Sequence, residues 1–232
     1  STGNAVAWVG NSTLPDTTGR HGRDVDMITA PRSTGSIMKP FLYAGLLSSG
    51  MLLPNALIPD IPTRFQGFRP ENADFSYSGA VPAGDALARS LNIPAVRMLQ
   101  MYEEERFLLL LRQMGFTTFT KPASHYGLSL ILGGGEATLW ELASAYASMA
   151  RVLITNPGTQ TSNSSSSIPN RKSQIAIPPL SPSSIWLTYE ALRRVNRPET
   201  ETGWQYFGSA PEVAWKTGTS FGFRDAWAIG TT

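Results

Sequence analysis

The apolar positions of this chain change period along its length. Residues 5–10, AVAWVG, alternate and are rich in small and β-branched side chains, which predicts a strand. A turn-rich stretch, NSTLPDTTGRHGRD, separates it from VDMITA (25–30), a second short strand. PFLYAGLLSSG (40–50) is an apolar helical run stopped by Gly50. Residues 51–83 carry many prolines and glycines with little periodicity and read as a long irregular connection. GDALARS is helical and breaks at SLNIP, where Pro94 suits the first position of another helix. AVRMLQMYEEERFLLLLRQMG supplies two further apolar helical stretches, with Gly115 as their C-terminal cap.

Thr138 and Glu141 form a T-x-x-E capping box, after which Leu142, Tyr146 and Met149 recur at helical spacing. In SPSSIWLTYEALRRVNRP, Ile185, Tyr189, Leu192 and Val195 make one face, Ser183 or Ser184 the cap and Pro198 the stop. EVAWKTGTSFGFRDAWAIG reads as a hairpin around SFGFRD. These elements predict an α+β fold, with an antiparallel sheet drawn from both chain ends, flanking helices and a largely helical lobe between. The whole of 1–232 is expected to form one domain, with a low-complexity polar loop at about 156–182. A chain that stops inside a strand is expected to be a C-terminally truncated fragment.

Composition narrows the chemistry. A hydrophobic content of 41% and a charged content of 16% belong to a globular protein. A net charge of +2, with no Lys/Arg block, argues against nucleic acid as a partner. With no cysteine, neither a disulfide framework nor a thiolate metal site can form. The two histidines, His21 and His125, lie far apart and outside any recognisable motif, which disfavours a Ser-His-Asp triad. Gly133 to Gly135 are read as a tight turn, because no G-K-[ST] follows to make a phosphate cradle.

Only four lysines occur, and one of them stands in RSTGSIMKPF (32–41). Ser36 and Lys39 are three residues apart, so on a helix they share a face. Pro40 is tolerated near a first turn, and Gly35 allows a sharp bend into it. Taken alone, Ser36 could be an N-cap and Lys39 a solvated side chain. Ser90-Leu91-Asn92 sits at a predicted break between helices, where capping is the plain alternative. Lys216-Thr217-Gly218 lies on the predicted C-terminal hairpin, where an edge strand is the plain alternative. Each of the three is weak singly.

Together and in this order, S-x-x-K, S-x-N and K-T-G are a catalytic signature. The chain resembles the transpeptidase domain of penicillin-binding proteins, relatives in fold of the serine β-lactamases. RSTGSIMKPFLY, RPENADFSYSGAV, LILGGGEATLWELASAYASMA and VAWKTGTSFGFRDAWAIG are similar to the class A, bifunctional group. The resemblance implies a peptidoglycan DD-transpeptidase that cross-links D-Ala-D-Ala stem peptides through an acyl-enzyme and is acylated by β-lactam antibiotics. It implies Ser36 as nucleophile and Lys39 as its base, since a neighbouring group must take the hydroxyl proton. Burial and the second cation of Lys216 would both favour a neutral Lys39 amine. It implies Ser90 as proton relay to the leaving amine, and Asn92 as holder of Lys39 and of the substrate amide. Lys216, Thr217 and Thr219 would bind the terminal carboxylate, and Gly218 would leave room for a substrate strand. The backbone N–H groups of Ser36 and Thr219 would form the oxyanion hole. No metal or organic cofactor is implied. The parent protein would be membrane-anchored on the periplasmic, extracytoplasmic face of the inner membrane, with an upstream glycosyltransferase domain.

Two rivals follow. A class A β-lactamase needs a glutamate in E-x-x-L-N; Glu136 to Trp140 approaches this but has Trp140 in place of asparagine, and Leu91 stands where aspartate is usual. A penicillin sensor would share the motifs without turnover. The family's sheet continues beyond the segment that ends here, so the isolated chain is expected to be less stable than a full domain.

Overall fold

The computed structural model describes residues 4–11, 25–65, 67–155, 178–194 and 213–232. Among the described residues the strands form three antiparallel pairs. β1 (Arg32–Ser33) pairs with β4 (Glu136–Ala137), β2 (Leu57–Asp60) with β3 (Gly79–Pro82), and β5 (Ala214–Thr219) with β6 (Ala226–Thr231). The helices are α1 (Lys39–Ser48), α2 (Ala83–Ala88), α3 (Asn92–Tyr102), α4 (Glu104–Gln113), α5 (Ala123–Tyr126), α6 (Leu139–Thr155) and α7 (Pro182–Arg193).

α1 is the axis of the core. Every residue from Lys39 to Leu46 is buried, as a helix that is apolar all round must be. It packs on α7, α3 and α4. Phe41 meets the edges of Phe116 and Tyr146 at ring-centroid distances of 5.7 and 5.0 Å, within the range of favourable aromatic contacts. The capping box forms as expected. Glu141 N donates to Thr138 Oγ1 at 3.1 Å, and Thr138 N donates to Glu141 Oε2 at 3.0 Å. Glu141 also accepts from the backbone and hydroxyl of Thr117, which joins α6 to the loop after α4.

Several expectations are corrected. The mixed α+β class and the helical middle stand, but residues 4–10 form no strand, and neither do 25–30. Between the two segments Met27 N donates to Gly10 O at 2.7 Å, but next to it the Asn11 side chain donates to Val25 O at 3.2 Å, and no ladder continues. Ile28 N donates to Asp26 Oδ1 at 2.9 Å, which closes a turn, while Trp8 leaves the alternation to lie against Trp140. Among the described residues, the sheet carrying the K-T-G motif is therefore built from the C-terminal end alone. The irregular region 51–83 contains the β2–β3 hairpin, masked in sequence by Pro59, Gly79 and Pro82. α3 starts at Asn92, so Pro94 lies within its first turn and not at its first position. Ser181, not Ser183 or Ser184, caps α7, accepting from Ser184 N at 3.2 Å, because Pro182 occupies the first turn. The polar loop falls outside the described residues over 156–177, as do Val195 and Pro198.

Candidate active site

Ser36 sits in a 3-10 turn, Gly35–Met38, that runs directly into α1. In such a turn, residues three apart eclipse, so Ser36 and Lys39 share a face as the spacing predicted. The turn is anchored from several sides. Thr34 N donates to Gly135 O at 3.1 Å and Ser33 Oγ to Gly133 O at 2.8 Å. Tyr146 OH reaches Ile37 O from α6 at 3.1 Å, and Trp227 Nε1 reaches Ser33 O from β6 at 2.7 Å. Gly133 and Gly135 thus brace the Ser36 turn, in keeping with their reading as a tight turn.

The S-x-N motif fills the gap between α2 and α3. Ser90 holds φ +57°, a left-handed conformation that costs a non-glycine residue free energy and turns its side chain inward. Lys39 is 1% exposed. Its Nζ donates to Asn92 Oδ1 at 2.7 Å and Ser90 O at 2.8 Å, and lies 3.3 Å from Leu91 O and 3.5 Å from Ser90 Oγ. Lys216 Nζ donates to the same Ser90 Oγ at 2.8 Å and to Thr217 O at 2.6 Å. One hydroxyl therefore links the two lysines. Among the described residues the Ser36 hydroxyl makes no hydrogen bond, so Lys39 is held by the 90–92 segment and not by Ser36. Burial, then the positive charge of Lys216, hold the Lys39 amine well below its ordinary range, and burial lowers Lys216 to about 8.

β5 places Ala214, Lys216 and Gly218 on its buried face and exposes Thr217 and Thr219, as alternation along a strand requires. A Cβ on Gly218 would stand 2.8 Å from Thr34 O and 2.9 Å from Ile37 N. Gly218 therefore makes room for the Ser36 turn, which corrects the expectation that it clears space for a substrate strand. Gly35 reciprocates. Its φ is +51°, and a Cβ there would meet Thr219 O at 2.6 Å. Ser36, Ser90, Asn92, Thr217 and Thr219 line one cleft of about 980 Å³. A second hollow, of about 730 Å³ between the end of α1, β2 and α3, contains none of the motif residues.

A family model described as the penicillin binding protein transpeptidase domain matches residues 1–230. The chain belongs to this family. Penicillin-binding protein 1C of Escherichia coli (strain K12) is 36% identical over 223 residues, covering 96% of this chain and 27% of that protein. Penicillin-binding protein 1A of Neisseria meningitidis serogroup A / serotype 4A (strain DSM 15465 / Z2491) is 30% identical over 223 residues, covering 88% and 27%. This transpeptidase domain thus spans about a quarter of the length of the relatives it matches. Among solved structures, penicillin-binding protein 1A from Haemophilus influenzae shares the fold with a TM-score of 0.68 at 22% identity, over 89% of this chain and 37% of that one. PonA1 from Mycobacterium tuberculosis does so with a TM-score of 0.67 at 18% identity, over 94% and 61%.

Sequence reading missed part of the cleft lining. Glu71 and Asn72 line the cleft, and Asn92 Nδ2 donates to Glu71 O at 2.7 Å. The only signal was the stretch RPENADFSYSGAV, which carried resemblance without an assigned role. Glu136, weighed as a possible deacylating carboxylate, is exposed on β4 and is not among the residues lining the cleft.

Proposed function

We propose that this chain is the DD-transpeptidase domain of a peptidoglycan synthase that works through a Ser36 acyl-enzyme. The observation that carries the reading is the meeting of all three motifs: Lys39 and Lys216 both reach Ser90 Oγ beside a cleft that Ser36 enters. Ser36 Oγ attacks the carbonyl of the penultimate D-Ala while its proton passes to the Lys39 amine, which burial and Lys216 keep disposed to be neutral. The Ser36–Lys39 contact tightens on substrate binding, as catalytic hydrogen bonds do when an empty site fills. The developing oxyanion is taken by the backbone N–H groups of Ser36 and Thr219, which the Gly35–Thr219 approach supports.

When the C–N bond breaks, the departing amine takes a proton from Ser90 Oγ, which is replenished from Lys39, and the last D-Ala leaves. An amine of a neighbouring stem peptide then attacks the Ser36 ester. As the ester C–O bond breaks, the proton of that amine returns through the same groups to Ser36 Oγ, and the new amide cross-links the wall. Lys216, with the Thr217 and Thr219 hydroxyls, holds the terminal carboxylate. Asn92 positions Lys39 and the substrate amide. β-Lactams follow the donor's path and stop at the ester. The exposed position of Glu136, away from the cleft, weighs against a β-lactamase. The parent protein is periplasmic and membrane-anchored, with an upstream glycosyltransferase domain. No described helix of this chain is long and apolar enough to cross a membrane.

Intact mass after exposure to benzylpenicillin tests the reading. The chain should gain one drug mass, retained for many minutes, and Ser36→Ala should gain none. An adduct on Ser36→Ala would place the nucleophile elsewhere, and rapid loss of the adduct would favour the β-lactamase. Release of D-Ala from a pentapeptide separates an enzyme from a sensor.

A further inference from the structure

Asn92 is gripped by two consecutive residues of a loop that lies outside all three motifs. Glu71 O accepts from Asn92 Nδ2 at 2.7 Å, and Asn72 Oδ1 accepts from Asn92 N at 2.8 Å. The first grip sets the rotation of the Asn92 amide. With Nδ2 committed to a carbonyl, Oδ1 must face the other way, where it meets Lys39 Nζ at 2.7 Å. The second grip holds the backbone. Asn92 opens α3, and Leu91, at the N-cap, supplies no side-chain acceptor. The first N–H groups of a helix need partners from outside it. Asn72 provides one from a distant loop, which also fixes where the Ser90 and Leu91 carbonyls stand relative to Lys39.

Asn72 is oriented in turn. It is 2% exposed, and its Nδ2 donates to Ser76 O and to Asp60 Oδ1, both at 2.8 Å. Asp60 is fully buried at the end of β2, and its other oxygen accepts from Ser78 N at 2.9 Å. Two acceptors facing Nδ2 leave only Oδ1 free to point at α3. A cap that served helix stability alone would need neither a buried carboxylate behind it nor a neighbouring carbonyl aimed at the catalytic amide.

We propose that Asn72, oriented by Asp60, is a positioning residue for acyl transfer, acting through Asn92 to hold the Lys39 amine in place. The proposal rests on the Ser36 acyl-enzyme reading. The chain Asp60–Asn72–Asn92–Lys39 ties the β2–β3 hairpin to the chemistry, because the hairpin carries Asp60 and the loop that presents Asn72 to the site.

Acylation by a fluorescent penicillin, resolved into a drug dissociation constant and a first-order acylation rate, tests this on the chain as it stands. Asn72→Ala should slow the acylation rate by about tenfold or more, the scale seen when outer partners of a functional ligand are removed, and leave the dissociation constant within about twofold. Asp60→Asn preserves shape and one acceptor, so it should slow the same step by less, and it serves as the test if Asn72→Ala fails to fold. The double variant Asn72→Ala/Asn92→Ala should be slowed by less than the product of the two single effects, since residues acting in series are not additive. Folded variants with the unaltered acylation rate, or effects that multiply, overturn the proposal. A wild-type chain that never acylates overturns the parent reading instead.

Discussion

Ser90 is the residue on which the site turns. Its hydroxyl joins the two lysines, and its backbone carbonyl helps hold one of them. It does this from φ +57°, where glycine would be more comfortable. Ser90→Gly should therefore relieve about 1–2 kcal/mol of left-handed strain, but the added freedom of the unfolded chain and the loss of the acceptor used by the buried Lys216 Nζ, about 1–3 kcal/mol, offset it, so the Tm should not rise. The same change should abolish or greatly slow penicillin acylation. Acylation that survives would show that the strain is not retained for the hydroxyl. The S-L-N spelling made Ser90 and Asn92 visible as candidates, but sequence could not say that the Asn92 amide faces Lys39. That orientation comes from Glu71 O, about twenty residues away along the chain.

At the level of elements, the site exists because β5 lies on the turn that precedes α1. The contact is backbone on backbone, through Gly35 and Gly218. Gly218→Ala would press a methyl group into Thr34 O and Ile37 N. Overpacking of this kind costs about 1–3 kcal/mol. It should also part the K-T-G strand from Ser36, so acylation should fall further than denaturant titration of the folded state accounts for. Acylation at the wild-type rate would mean that the two elements need not touch.

A second junction is held by one carboxylate. Burial pushes Glu141 up, but donors from Thr138, Thr117 and Thr118 outweigh burial and hold it below its ordinary value. A carboxyl lowered in the folded state contributes stability above its unfolded value and loses it as pH falls through the folded one. Glu141→Gln should therefore lower Tm at neutral pH and narrow the gap to wild type in acid, as read from thermal melts across pH 2–7 (a range set by about the usual carboxylate values). An unchanged gap would remove the carboxylate from that role.

For the whole molecule, the buried lysines and tyrosines shape stability at high pH. Lys216 is lowered from its ordinary 10.5 to about 8, and Lys39 is lowered as well. Between the folded and unfolded values, the unfolded chain binds more protons, so stability rises with pH. Burial raises Tyr43 and Tyr189 from 10.0 to about 12, so above 10 the unfolded chain loses their protons first and stability falls. The Tm should climb from about pH 8 to a maximum below about 10 and then drop, and Lys216→Met should flatten the climb. A Tm that falls steadily from pH 7 upward would contradict the burial of both amines.

Much of this was legible in the chain itself. Long apolar runs with the right period have only one way to bury themselves, so α1, α4 and α6 were visible from spacing, and the T-x-x-E box from two residues. That Ser36, Lys39, Ser90, Asn92 and Lys216 belong to one site was legible as residue types in order. Short alternation was not decisive. Residues 5–10 have a strand's pattern but make no strand; Trp8 instead lies against Trp140 and donates to Asp26, contacts that a local pattern does not reveal. The β2–β3 hairpin was hidden by its prolines and glycines, since pairing depends on a partner strand far along the chain. Only tertiary structure decided that Lys39 leans on residues 90–92, that Gly218 faces the Ser36 turn, and that Asp60 and Asn72 stand behind Asn92. Sequence determines which groups are available and which local shapes they favour. Which groups meet depends on the packing of distant segments, and no local periodicity encodes it.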